Sequence, residues 1–214
     1  MLMAISPGAP VALRRSLGAG GHRMFAPALQ ILVAVLAVIS MPLSIAALNE
    51  FYAGQASIAP EQLARQVFVA QLLPLGLGMA IRHFQPMRAN WIGTRLVRLA
   101  TGLLIALAVL AVIDVWEVVV GAGPRVALAI AMVTIFALMI GHRLGGPDEG
   151  TRTAVAISSA ARNPGLALLV ATLNAASPGI TRMVLAYFVV SALTVVPYVM
   201  WRRRHPRQPL ASEP

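Results

Sequence analysis

The sequence predicts an all-α integral membrane protein of about six transmembrane helices. Three observations predict it. Of the 214 residues, 58% are hydrophobic and only 11% are charged, less than half the charged share of an ordinary soluble domain. Mean hydropathy is +0.79, which means more apolar surface than a water-facing domain of this size can hide. The apolar residues run continuously rather than alternating, in stretches of about 17–25 residues. As helices these are long enough to cross a hydrocarbon core about 30 Å thick. In lipid every backbone polar group must be paired internally, and continuous helices achieve that.

The first apolar segment runs from Ala26 to Leu48, and the second, Leu63 to Ile81, contains Pro74. The third covers Leu96 to Val120 and the fourth Pro124 to Ile140. The fifth, Thr153 to Leu173, is interrupted near Pro164 and Gly165, and the sixth runs from Val184 to Trp201. Residues 26–201 therefore form the transmembrane domain. Ahead of it, residues 1–25 hold a short apolar start, the breaker cluster Pro7-Gly8-Ala9-Pro10, and a basic, glycine-rich stretch from Arg14 to Arg23. A signal peptide places its basic part before its apolar part. Here the order is reversed, so the region reads as the second half of a membrane helix followed by a loop. Residues 202–214 form a polar, Pro-containing tail of disordered composition.

A net charge of +10 and a pI near 11.7 would point to nucleic acid in a soluble protein. The distribution of charge points elsewhere, to membrane topology without nucleic acid. All basic residues are Arg. If six helices alternate, Arg14, Arg15, Arg23, Arg82, Arg88, Arg95, Arg98, Arg143, Arg152, Arg202, Arg203, Arg204 and Arg207 share one side. Arg65, Arg125 and Arg182 fall on the other. The positive-inside rule then makes both termini cytoplasmic. Arg-only basicity with abundant Ala fits a high-GC bacterial coding sequence, and hence the bacterial inner (plasma) membrane.

Several chemistries are excluded. Without Cys there is no disulfide, thiolate metal site or thiol nucleophile. His22, His83, His142 and His205 each adjoin an Arg at a helix end, which argues against haem ligation, zinc chemistry or a histidine-based protease. Glu50, Glu61, Asp114, Glu117, Asp148, Glu149 and Glu213 all lie at ends or loops, so no acid pair sits at mid-depth. An enzyme is not expected, and neither is a cofactor. Trp91, Trp116 and Trp201 read as interface anchors, and Gly76 and Gly78 as close-packing residues.

The fifth segment carries the chemistry. Arg162 lies about ten residues into its span, near mid-depth, where insertion of a charge costs about 2.5–3.5 kcal/mol and demands a polar lining or counter-ion. Pro164 lacks an N–H and opens the helix ladder. Ser158, Ser159, Arg162, Asn163, Pro164 and Gly165 then gather polar groups around one charge, as the broken helices of secondary transporters do. The plainer reading is a proline kink braced by an Arg salt bridge. Its nearest acids, Asp114 and Glu117, sit near the far end of the third segment.

Thr151 to Leu169, with its core Ala161-Arg162-Asn163-Pro164-Gly165-Leu166-Ala167, resembles the crossover helix of the bile acid:sodium symporter family. Gly145-Gly146-Pro147-Asp148-Glu149 resembles the loop before that helix. Leu73-Pro74-Leu75-Gly76-Leu77-Gly78 resembles an earlier proline–glycine segment, and Ser6-Pro7-Gly8-Ala9-Pro10 the second half of the other crossover helix. Helix order and spacing agree across nearly the whole chain. The resemblance implies a fold of ten helices in two inverted five-helix repeats, whose two broken helices cross at mid-membrane beside ions and substrate. It implies that this chain holds the C-terminal half, beginning midway through the fourth helix. It also implies transport of small organic anions, with Pro7, Gly8 and Pro10 joining the fifth-segment residues at the substrate and ion site.

The chain departs from the family's sodium pattern. An acidic sodium ligand aligns with Ser158, a glutamine ligand with Arg162, and hydroxyl ligands with positions near Ala34 and Val38. Asn163 is retained. Hard cations need oxygen ligands, so sodium is weakly provided for, and the Arg162 guanidinium can stand in its place as a built-in cation. The alternatives are a truncated, transport-inactive fragment and a structural membrane module. Arsenite efflux, in a related family, commonly relies on a membrane cysteine, which this chain lacks. A homodimer is one way to replace the missing repeat.

Overall fold

A computed structural model describes residues 2–52, 57–121 and 124–204, apart from the side chains of Tyr52 and of part of the fifth helix. Its elements are helices: α1 (Pro10–Gly18), α2 (Phe25–Tyr52), α3 (Pro60–Val67), a π-helical turn (Phe68–Leu72), α4 (Leu73–Phe84), α5 (Pro86–Gly121), α6 (Pro124–Leu144), α7 (Glu149–Ala160), α8 (Pro164–Leu173) and α9 (Pro178–Arg204). The chain is consistent with an all-α membrane protein.

Four helices are long and apolar enough to cross a bilayer: Phe25–Phe51, Pro60–Phe84, Pro124–Leu144 and Pro178–Arg204. Six were expected. The third expected segment falls on α5, which begins ten residues early and is 36 residues long. The side chains of Asp114, Trp116 and Glu117 in it lie outside the described residues. The fifth expected segment is not one span but two short helices, α7 of 12 residues and α8 of 10. Their break falls at Ala161–Asn163 rather than at Pro164–Gly165. Pro164 occupies the first turn of α8, where its missing N–H costs nothing and its fixed φ suits the helix.

Local chemistry explains the other boundaries. Asp148 caps α7 by accepting from the Thr151 N–H at 2.8 Å, and Pro10 starts α1. In the second span, Pro74 has no N–H to close an α turn back to Ala70. The ladder widens just before it, with the Leu73 N–H bonded to Phe68 C=O. A π-turn of this kind is often found at functional sites.

The core has four parts. Ala34, Ala37 and Met41 of α2 pack with Leu63 and Val67 of α3 and with Leu166 and Val170 of α8. Ala9 and Ala12 meet Ile157 and Ala161. Leu138 of α6, Ala156 and Ala160 of α7 and Val195 of α9 form the third part. Met3, Ala167 and Val184 form the fourth. Small residues set the closest approach: a Cβ on Gly141 would lie 2.8 Å from the Ala156 Cα. Gly76 and Gly78, expected to serve such packing, have nothing within 4 Å of their would-be Cβ positions among the described residues.

One end of the bundle is laced together by arginine. Arg202, 6% exposed, pairs with Glu149 at 3.1 Å and donates to Thr153 Oγ1 at 2.8 Å. Arg203 donates to Gly18 C=O, and the His22 N–H to Gly150 C=O. At the opposite end of α8, the Asn174 amide and the Ser57 backbone exchange two hydrogen bonds of 2.7 and 2.8 Å. These ties hold the middle of α7–α8 against the segment before α1.

Candidate functional site

Where α7 and α8 part, the backbone is extended, and so is the chain ahead of α1. The two extended pieces meet. Pro7 and Arg162 form an isolated antiparallel bridge, in which the Asn163 N–H donates to Ser6 C=O at 2.8 Å. Backbone groups orphaned by one interruption are thus satisfied by the other, as a low-dielectric setting requires. Ser6 is fully buried, and its hydroxyl donates to Leu2 C=O at 2.6 Å.

Asn163 works in both directions. Its Oδ1 caps α8 by accepting from the N–H groups of Gly165 and Leu166, at 3.0 and 3.3 Å. Its Nδ2 reaches Gly8 C=O at 3.4 Å. Gly8 has φ +78°, and its would-be Cβ lies 3.3 Å from Val33 Cγ1 of α2, so only glycine fits comfortably. The same Gly8 carbonyl accepts from Gln30 Nε2 at 2.9 Å. Gln30 Nε2 also lies 3.5 Å from Gln71 Oε1 on the π-turn.

The crossing is electropositive by construction. Pro10 opens α1 two residues beyond Gly8, and Pro164 opens α8 two residues beyond Arg162. Each N-terminus contributes partial positive charge. Arg162 is half-buried, and no carboxylate pairs with it among the described residues, where Arg202–Glu149 is the one ion pair. Oxygen donors here are already engaged: Asn163 Oδ1 by two N–H groups, Gly8 C=O by two amides, and Ser6 C=O by Asn163.

The expected site residues separate into groups. Pro7, Gly8, Arg162 and Asn163 come together at the crossing. Pro10, Pro164 and Gly165 form the first turns of the two helices that leave it. Ser158 lies one turn before Arg162, with a buried hydroxyl that has no hydrogen-bond partner. Ser159 lies elsewhere: its Oγ would sit 2.8 Å from a Cβ on Gly141, so it belongs to the α6–α7 seam.

Gln30 and Gln71 were not anticipated, though each is the uncharged polar residue in an otherwise apolar run. That signal was present in the sequence, since amides in such runs are retained to bond across helices. No model of a known protein family matches the chain, and no curated protein matches it.

Proposed function

We propose that this chain is a membrane transporter, similar to bile acid:sodium symporters, that moves small organic anions through the crossing without sodium. The supporting observation is the crossing itself: two helix N-termini and an unpaired, half-buried guanidinium converge on one point. Such a point attracts an anion. The engaged oxygens and the adjacent Arg162 leave a poor donor set for a hard cation. Both termini face the cytoplasm on this reading, from the arginine distribution, and the membrane is a bacterial inner membrane. Self-association into a homodimer supplies the second repeat.

The test is uptake of labelled organic anions into proteoliposomes, with and without sodium. The reading expects equal uptake in both buffers. It expects Arg162→Ala to weaken apparent affinity by roughly 10- to 100-fold, the factor carried by a charge-assisted hydrogen bond. Uptake abolished without sodium overturns the built-in cation. Uptake indifferent to Arg162→Ala favours a structural membrane module instead.

A further inference from the structure

Beside the crossing lies a cavity of about 260 Å³ between α1, α2, the π-turn and α4, its walls including Pro10, Gln30, Ala34, Ala70, Gln71 and Pro74. Its polar chemistry can be deduced from the hydrogen bonds. A carbonyl oxygen can only accept, so the Gln30 group facing Gly8 C=O must be the NH₂. The Gln71 atom facing that same NH₂ must then be its oxygen, which turns the Gln71 NH₂ away. Gln71 is 8% exposed, and its amide nitrogen has no partner among the described residues. The remaining side-chain polar offer of this cavity is therefore a donor, on walls that are otherwise apolar.

We propose that this cavity binds the acceptor end of a short-chain monocarboxylate, with the Gln71 NH₂ bonded to the carboxylate and the alkyl chain against Ala34, Ala70 and Pro74. The inference rests on the reading of the crossing as an anion-transport site and narrows its substrate class. Pockets for drug-sized ligands span about 300–1,000 Å³, and this one falls below that range. A steroid conjugate does not fit, whereas butyrate or hexanoate does. The widened π ladder places Gln71 where a regular α turn would not, which gives that irregularity a purpose.

The experiment is equilibrium binding of labelled butyrate, hexanoate and cholate to the full chain in phosphatidylcholine nanodiscs, run beside vesicle uptake. Butyrate and hexanoate are expected to bind and cholate to be excluded. Gln71→Met, which keeps the volume, should weaken butyrate binding about tenfold. Ala70→Leu, at an exposed position, should lose hexanoate before butyrate. Cholate binding as tightly as hexanoate overturns the proposal, as does unchanged butyrate affinity in a Gln71→Met protein that melts like the parent. If Gln71→Met does not fold, an unchanged chain-length preference in Ala70→Leu overturns it. Carboxylate binding without uptake sinks the transport reading and leaves the pocket standing. Absence of carboxylate binding, with other anions still taken up, sinks the pocket alone.

Discussion

Gly8 and Asn163 carry the crossing at the scale of single residues. A Cβ at Gly8 must adopt the left-handed region, which costs about 1–2 kcal/mol for an L side chain, and must also press on Val33. Gly8→Ala should therefore lower the melting temperature and weaken anion uptake together. Asn163 can be dissected further. Asn163→Asp keeps the cap on α8 but loses the donor to Gly8 C=O. Asn163→Ala loses both, and loss of a cap costs about 0.5–2 kcal/mol. In thermal unfolding, Asn163→Ala should be the less stable of the two; the reverse order would show that the cap contributes nothing. The residue types at the break were legible in sequence, because proline and a mid-span arginine have few structural uses. The partners of Asn163 were not, because they lie 155 positions away and no local pattern encodes them. Ser159 shows the same limit: its neighbour Ser158 is chemically identical, and only the packing of Gly141 separates their roles.

Between elements, the seam of α6 and α7 depends on one small residue. Gly141→Val would drive a side chain against Ala156 and Ser159. Overpacking of that kind typically costs about 1–3 kcal/mol, visible as a lower melting temperature with the helical circular-dichroism signal retained. The arginine lacing at the end of α9 makes a contrasting prediction. Glu149 is 56% exposed and Arg202 only 6%. Glu149→Gln should change stability by less than about 1 kcal/mol, as exposed partners do. Arg202→Ala should cost more, because it strips bonds to Thr153 and Glu149 and buried packing besides. Equal effects would mean that charge, not packing, holds this end. Long apolar runs revealed α2, α6 and α9 almost to their ends, since hydropathy is a property of the run itself. The early start of α5 and the π-turn escaped because polar residues continue a helix as readily as apolar ones, and a single proline does not announce how the ladder before it will adjust.

For the whole molecule, the absence of cysteine makes topology directly measurable. Single cysteines at Arg125 and Arg143, near opposite ends of α6, should react with a membrane-impermeant maleimide from opposite faces of the cell membrane. Reaction of both from one face would exclude α6 as a spanning helix. The overall plan of apolar helices with one polar interruption was readable from composition and periodicity. The meeting of that interruption with a second one near the N-terminus is tertiary, and resemblance rather than pattern pointed to it.

The Gly8 carbonyl, shared by Asn163 and Gln30, has a consequence for amide exchange with solvent. Extended, non-helical backbone is ordinarily where exchange is fastest. Here the Asn163 N–H is donated to buried Ser6 and flanked by side-chain bonds to α2 and α8. Its deuterium uptake should be among the slowest in the chain, slower than that of the exposed first turns of α5. The least regular stretch of the fold would then be its most rigid, a fixed pivot about which the regular helices rearrange.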